Sequence, residues 1–344
     1  MIRAMVRVRA GRCTSVALGI VVLLVLQAGA ARAQAWLPAQ GEGTVSLVVQ
    51  DIAAKYHYLP AEPFDRGHIR SDTMALDFTY GLTDQLAVSI GIPWVLSKYD
   101  GATPHPLVDT SGAVPVFYGT NPLDNGSYHG AFQDFRFDVR YNVTKRGVVL
   151  TPFIGSVVPS HDYTYFAHAA PGRDLKELQV GVSAAKMLDA LVPGLFVQGR
   201  YAYGFTEEVL DISHNRSMAG LEIGYFVTPK LRLMSINTGQ VTHGGIDLTQ
   251  NSRVDLGPVL WSHHDQIDRV NFLNMGGGAS YSVTENVDLF GSAIHTVGQR
   301  NGHAIEYGVT IGLSWSFSTR RGRARAIASA EGSLVRCVCE KATK

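Results

Sequence analysis

Polar and apolar residues alternate strictly from Asp134 to Asn142. Asp134, Arg136, Asp138, Arg140 and Asn142 occupy one set of positions, and Phe135, Phe137, Val139 and Tyr141 the other. A period of two places each set on its own face of a β-strand. The run near 303–317 repeats the pattern. There Ile305, Tyr307, Val309, Ile311, Leu313, Trp315 and Phe317 oppose Glu306, Gly308, Thr310, Gly312, Ser314 and Ser316. Met74, Leu76, Phe78 and Tyr80 show the same spacing, as do Leu86, Val88, Ile90, Ile92 and Trp94. Counting such runs predicts about twelve strands, near 43–57, 71–80, 85–99, 130–142, 147–158, 175–187, 194–205, 216–227, 230–241, 268–282, 285–297 and 303–317.

The connections are of two kinds. Short ones read Tyr80-Gly-Leu-Thr83, Tyr141-Asn-Val-Thr144, Tyr225-Phe-Val-Thr228 and Tyr281-Ser-Val-Thr284, with Lys186 to Gly194 a longer variant. Between them lie polar segments near 58–70, 100–130, 159–174, 206–215, 242–266 and 298–302. Short turns alternating with long loops, and an even strand count, are the pattern of an antiparallel up-and-down barrel in the bacterial outer membrane. The turns then face the periplasm and the loops the exterior. The predicted fold is therefore all-β, a single transmembrane barrel.

Orientation follows from cost. An Arg or Lys facing lipid at the bilayer midplane costs about 2–4 kcal/mol, so the charged face of 134–142 must look into the lumen. The same reasoning makes Asp77, Asp134, Arg136, Asp138, Arg140, Glu177, Arg200, Glu222, Arg232, Asp288 and Glu306 pore-lining, among inward Gly and Ser that leave space for water. A soluble β-sandwich would turn its apolar faces inward instead. It does not account for the aromatic residues, which gather at strand ends. Tyr80, Tyr141, Tyr225, Tyr281, Trp315 and Phe317 fall at the short-turn end, and Trp94, Tyr201 and Tyr203 at the opposite end, as two membrane-interface belts.

The first residues fit export. Arg3, Arg7, Arg9 and Arg12 precede an apolar core, Val16 to Leu26, and Ala31-Arg32-Ala33 supplies small residues for cleavage. Residues 1–33 are thus expected to be a cleaved signal peptide, 34–317 the barrel, and 318–344 a basic, disordered C-terminal tail. Between leader and tail lie 18 of the 30 basic residues and 27 of the 29 acidic ones, an acidic body that argues against nucleic acid as a partner. That body has no Cys, which excludes a disulfide framework and thiolate metal sites there. Hydrophobic content is 46% against 17% charged, and no apolar run after the leader approaches the length of a membrane helix.

Eleven of the twelve His, all but His295, lie in or near predicted loops, including the His263-His264-Asp265 cluster and His161-Asp162. Imidazoles and carboxylates are suitable metal ligands, but one loop fixes no geometry, so these read as solvated residues. No metal or other cofactor is expected. A lipase-type barrel would need a Ser and a His on one outward strand face. His295 has Val297 two positions on, and Ser213-His214-Asn215 sits in a predicted loop, so no catalytic residue and no enzyme activity is expected.

Ala35-Trp36-Leu37-Pro38, Gly41-Glu42-Gly43, Tyr80-Gly-Leu-Thr-Asp-Gln-Leu86 and Ile92-Pro93-Trp94 resemble the outer-membrane channel family linked to phenol and other aromatic degradation, the MetA-pathway type. The resemblance covers essentially 35–317 and implies a transport barrel. The expectation is passive passage of small organic solutes, aromatic ones included, through a narrow polar lumen in the cell outer membrane of a Gram-negative bacterium. Its partners would be outer-membrane lipid, small-molecule solutes and, during insertion, the barrel-assembly machinery. The alternative is a non-transporting surface barrel whose extracellular loops bind a partner.

Overall fold

The computed structural model describes residues 35–144 and 147–319. The leader and nearly all of the tail lie outside the described residues. Fifteen strands form in chain order. These are β1 (Glu42–Tyr58), β2 (Pro63–Gly81), β3 (Leu86–Asp100), β4 (Leu107–Asp109), β5 (Val116–Tyr118), β6 (His129–Phe132), β7 (Phe135–Tyr141) and β8 (Val149–Val158). They continue with β9 (Glu177–Met187), β10 (Leu195–Thr206), β11 (His214–Phe226), β12 (Leu231–Gly244), β13 (Asn271–Ser282), β14 (Val287–Arg300) and β15 (His303–Ser318). Three short helices, α1 (Ser252–Asp255), α2 (Gly257–Trp261) and α3 (His264–Ile267), lie between β12 and β13.

All strands but the small β4–β5 hairpin belong to one antiparallel sheet that closes on itself, since β1 pairs with both β2 and β15. β6 and β7 are two pieces of a single staved strand, each pairing with β3. The wall is thus a closed barrel of twelve strands, and closure leaves no unpaired edge in lipid. The break in the fourth stave has a visible cause. Pro93 on β3 has no N–H to give the ladder. Its carbonyl accepts the Gln133 N–H at 3.0 Å, and the chain bulges at Gln133–Asp134 before pairing resumes at Gly91–Arg136.

The outer face is the apolar one. Leu47, Val49, Met74, Leu76, Ile90, Val139, Ile154, Val180, Leu221, Ile223, Leu289 and Ile311 are all well exposed on it. Aromatic rings cluster at its two rims. Phe78, Tyr80 and Phe317 stack at the short-turn rim, where Trp315 also packs on Phe317. Tyr203 and Phe205 meet edge to face at the other rim, and Trp94 pairs there with Phe132.

Two of the predicted long loops are strand instead. Residues 63–70 belong to β2, pairing as Tyr58–Pro63, Tyr56–Asp65 and Ala53–Arg70. Similarly, 298–300 belong to β14, and only Asn301–Gly302 turns the chain, both residues at positive φ. These strand ends stand above the bilayer, where both faces are wet. Alternation therefore vanishes from the sequence although pairing continues. Three long loops remain on that side, 101–128, 159–176 and 245–270.

Candidate functional site

Inside the barrel the charged residues form local sets along the wall. Arg136 approaches Asp77 at 3.9 Å. Arg140 bonds Asp138 at 2.8 Å and Thr79 at 3.2 Å, and also contacts Ser89. Glu177 is almost wholly buried and ties together Arg216, Gln179 at 2.6 Å and Thr206 at 3.1 Å. Arg200 stacks over Phe153 at 3.8 Å, and Arg232 lies over Phe196 at 5.9 Å, within electrostatic reach of Glu222. Asp288 stands apart near the short turns, accepting from Ser282 at 2.6 Å. Glu306 is the residue skipped where β1 pairs Ala53 with Tyr307 and Ala54 with Ile305, so strand alternation does not fix its side.

The inward glycines are not open space. A methyl group on Gly181 would collide with the ring of Phe153, one on Gly224 with Phe196, and one on Gly312 with Phe290. Each phenyl ring lies across a neighbouring glycine, so these glycines make room for rings on the inner wall rather than for water. At the inner mouth the segment before β1 is drawn in. Ala35 is fully buried; its carbonyl accepts from Thr151 at 2.7 Å and from Asn142 at 3.2 Å, and its N–H donates to Gln198 at 3.2 Å. Trp36 packs edge-on to Phe196 at 6.1 Å.

Space survives in the outer half. A cavity of about 580 Å³ runs between the wall (Gln50, Ser71, Ala75, Asp77, Val95, Arg136) and residues 165–173 of the second long loop, which dips into the barrel. A smaller one of about 190 Å³ is lined by Asp134, Glu177, Arg173 and Arg216. Tyr163 on the same loop hydrogen-bonds Asp134, which anchors the loop to the wall.

Above the larger cavity the three loops converge on a buried set of imidazoles and acids. The expectation that loop His are solvated fails here: His105 and His264 are 4% and 2% exposed. Asp124 holds the loop backbones, accepting from the N–H of His105 at 2.9 Å, His168 at 3.2 Å and Ala169 at 3.0 Å. The His105 ring lies edge-on to Phe166 at 4.5 Å, and the His264 ring lies flat on Trp261 at 4.0 Å. Burial pushes the His264 imidazole down to about 4, opposed by its bond to the Trp261 carbonyl. Burial pushes the Asp265 carboxyl up to about 6, opposed by nearby His105.

Sequence reasoning missed Arg216, although alternation counted back from Glu222 reaches it. It marked His264 and Asp265 as a loop cluster of ligand types but read them as solvated, and nothing in the sequence joined them to His105, which meets them only through tertiary structure. It also missed a Ser–His contact. On the outward face Ser217 and His243 share a hydrogen bond of 2.8 Å beside Tyr203. Among the described residues no hydrogen bond orients the other nitrogen of His243. His295, the imidazole weighed in the sequence, donates instead to the Glu306 carbonyl at 2.7 Å.

A twelve-stranded closed wall, apolar outside, ringed by aromatic belts and charged within, defines an outer-membrane β-barrel. No protein-family model matches the chain, and no curated protein resembles it in sequence. Among solved structures it is similar to the COG4313 outer membrane channel from Pseudomonas putida F1. The TM-score is 0.62 at 13% identity, over 84% of this chain and 100% of that one. The NanC porin aligns with 78% of this chain and 98% of its own, at a TM-score of 0.44 and 11% identity. The translocator domain of the autotransporter NalP from Neisseria meningitidis aligns with 88% and 96%, at 0.45 and 11%. Identity this low speaks to the fold. That fold places the chain in the cell outer membrane.

Proposed function

We propose that the barrel is a passive channel for small organic solutes, aromatic ones among them. The observation that carries this reading is the cavity of about 580 Å³ in the outer half of the lumen. One side of it is apolar, with Val48, Ile52, Ala75 and Val95, while Asp77 and Arg136 add an opposed pair of charges and Tyr165 an aromatic face. Apolar walls with a few convergent polar groups suit a small organic molecule better than a bare ion. The resemblance to an aromatic-degradation channel family, carried by residues 35–43 and 80–94, points the same way. The path needs no cofactor, only widening between the wall and residues 165–173.

Liposome swelling with the purified barrel tests this. Benzoate or phenol should enter vesicles containing the folded protein faster than empty ones. Vesicles that stay sealed while the protein is folded in them would overturn the reading, and would favour a surface barrel whose loops bind a partner.

A further inference from the structure

The buried loop cluster has the composition and spacing of a cation site, and this inference stands independently of which solute the barrel passes. His105 Nε2 lies 3.4 Å from His264 Nε2 and 3.5 Å from one carboxylate oxygen of Asp265. The other Asp265 oxygen is 3.2 Å from His264 Nε2. A tetrahedral zinc ion with bonds of about 2.0–2.1 Å separates its donors by roughly 3.3–3.4 Å. The gap between the imidazoles matches such an edge, and a small turn of the Asp265 carboxylate brings one oxygen to both.

The rings are also aimed correctly. His264 Nδ1 donates to the Trp261 carbonyl at 2.8 Å, which leaves the lone pair on Nε2. His105 turns Nδ1 toward Asp124, 3.4 Å away, and Nε2 toward the cluster. A carboxylate or carbonyl behind each imidazole is the arrangement that orients histidine ligands on a metal. Without a cation the geometry is poorly satisfied. Asp265 Oδ2, one of the atoms facing the cluster, is buried and lacks a hydrogen-bond partner. Two imidazole nitrogens and a carboxylate converge with no apolar filling between them. The second possible set, His105 with Asp124 and His168, fits less well, because Asp124 already accepts three backbone N–H groups.

We propose that His105, His264 and Asp265 bind one divalent cation of the zinc class. Asp265 also borders the large cavity, which gives the ion a route in and a water ligand for the fourth position. His105 sits in loop 101–128, and His264 and Asp265 in loop 245–270. The ion therefore ties two loops together across the outer mouth, over the second loop's Phe166.

The test uses the full chain without a histidine tag, folded in detergent, loaded with zinc chloride and desalted. One equivalent of zinc should remain and be removed by EDTA. His105→Ala and His264→Ala should each weaken zinc binding at least ~10-fold, the loss typical even of outer-sphere partners. His243→Ala, an exposed imidazole outside the cluster, should bind as the parent does. Heat-modifiable gel mobility checks that each variant is a folded barrel. A second readout needs no variant at the ligands. Trp261 stacks on His264, so cobalt should quench tryptophan emission in the parent and lose much of that effect in Trp261→Phe. Zinc should also slow proteolysis within loop 101–128 of the parent. A parent protein that keeps no zinc overturns the proposal. So does a folded His264→Ala variant that keeps as much as the parent, or one that loses no zinc while His168→Ala loses all of it.

Discussion

The lumen is closed twice, and the two closures differ in kind. At the inner mouth Ala35 and Trp36 are held by two amides, a hydroxyl and the Phe196 ring. All of these are neutral, and the hydrogen bonds to Ala35 are complete. At the outer mouth three loops meet over imidazoles and carboxylates, several of whose polar atoms have no partner. A neutral, satisfied contact has one favoured state. A buried charged cluster is costly unless something compensates it. The outer closure is therefore the one built to respond to ions or solutes, and the inner closure is the fixed one.

Removing each closure should separate them most sharply. Replacing residues 160–174 by an Asn-Gly turn keeps β8 and β9 joined as a hairpin. It also deletes the strand of chain that narrows the outer half. Single-channel conductance in planar bilayers should rise severalfold. Deleting residues 35–38 should raise it much less, because Phe153, Phe196 and Phe290 still line the inner wall. The reverse order of effects would invert the comparison.

Stability tests the wall behind each closure. Glu177 is the buried acid that holds Arg216, Gln179 and Thr206 beside the smaller cavity, so Glu177→Ala leaves the half-buried Arg216 guanidinium without its partner. Urea unfolding from lipid vesicles should show a loss at or below the lower end of the about 3–5 kcal/mol of a fully buried pair. On the inner side Gly224→Ala forces the Phe196 ring to move, a crowding cost of about 1–3 kcal/mol. Thr151→Val removes one donor to the Ala35 carbonyl and one acceptor of Asn142 at 3.0 Å, but Asn142 still donates to Ala35, so the loss should be about 0.5–1.5 kcal/mol.

How far each closure can be read from the sequence follows from the same physics. The wall is written in period two because lipid on one side and water on the other penalise every misplaced residue. That is why Asp134 to Asn142 could be assigned a face from the sequence. Above the bilayer the penalty disappears, and residues 63–70, paired in β2 around a bulge at Arg66–His68, look like a loop. Inward glycines were legible as positions but not in purpose, since Phe196 over Gly224 is a contact between strands. The outer cluster was invisible for a stronger reason. His105 and His264 are 159 residues apart, and loops carry no period that could announce their meeting. The inner closure left a faint trace in Ala35-Trp36, an apolar pair set just ahead of β1.

The smallest energetic effect belongs to the cavity between the two closures, where it should have a large functional reading. Arg136 and Asp77 face each other at 3.9 Å with side chains 55% and 44% exposed, so their attraction is weakened by the water around them. Arg136→Ala should change unfolding by only about 0–1 kcal/mol, as for other solvated pairs. Permeation is different, because a solute crossing the cavity meets the charge itself, not its contribution to folding. Losing the cation while Asp77 stays leaves the narrow section negative, and the reversal potential across a salt gradient should move toward cation preference. Asp77→Ala should move it the opposite way. If both variants leave the reversal potential unchanged, ions do not pass this cavity, and the outer half of the lumen is a closed chamber.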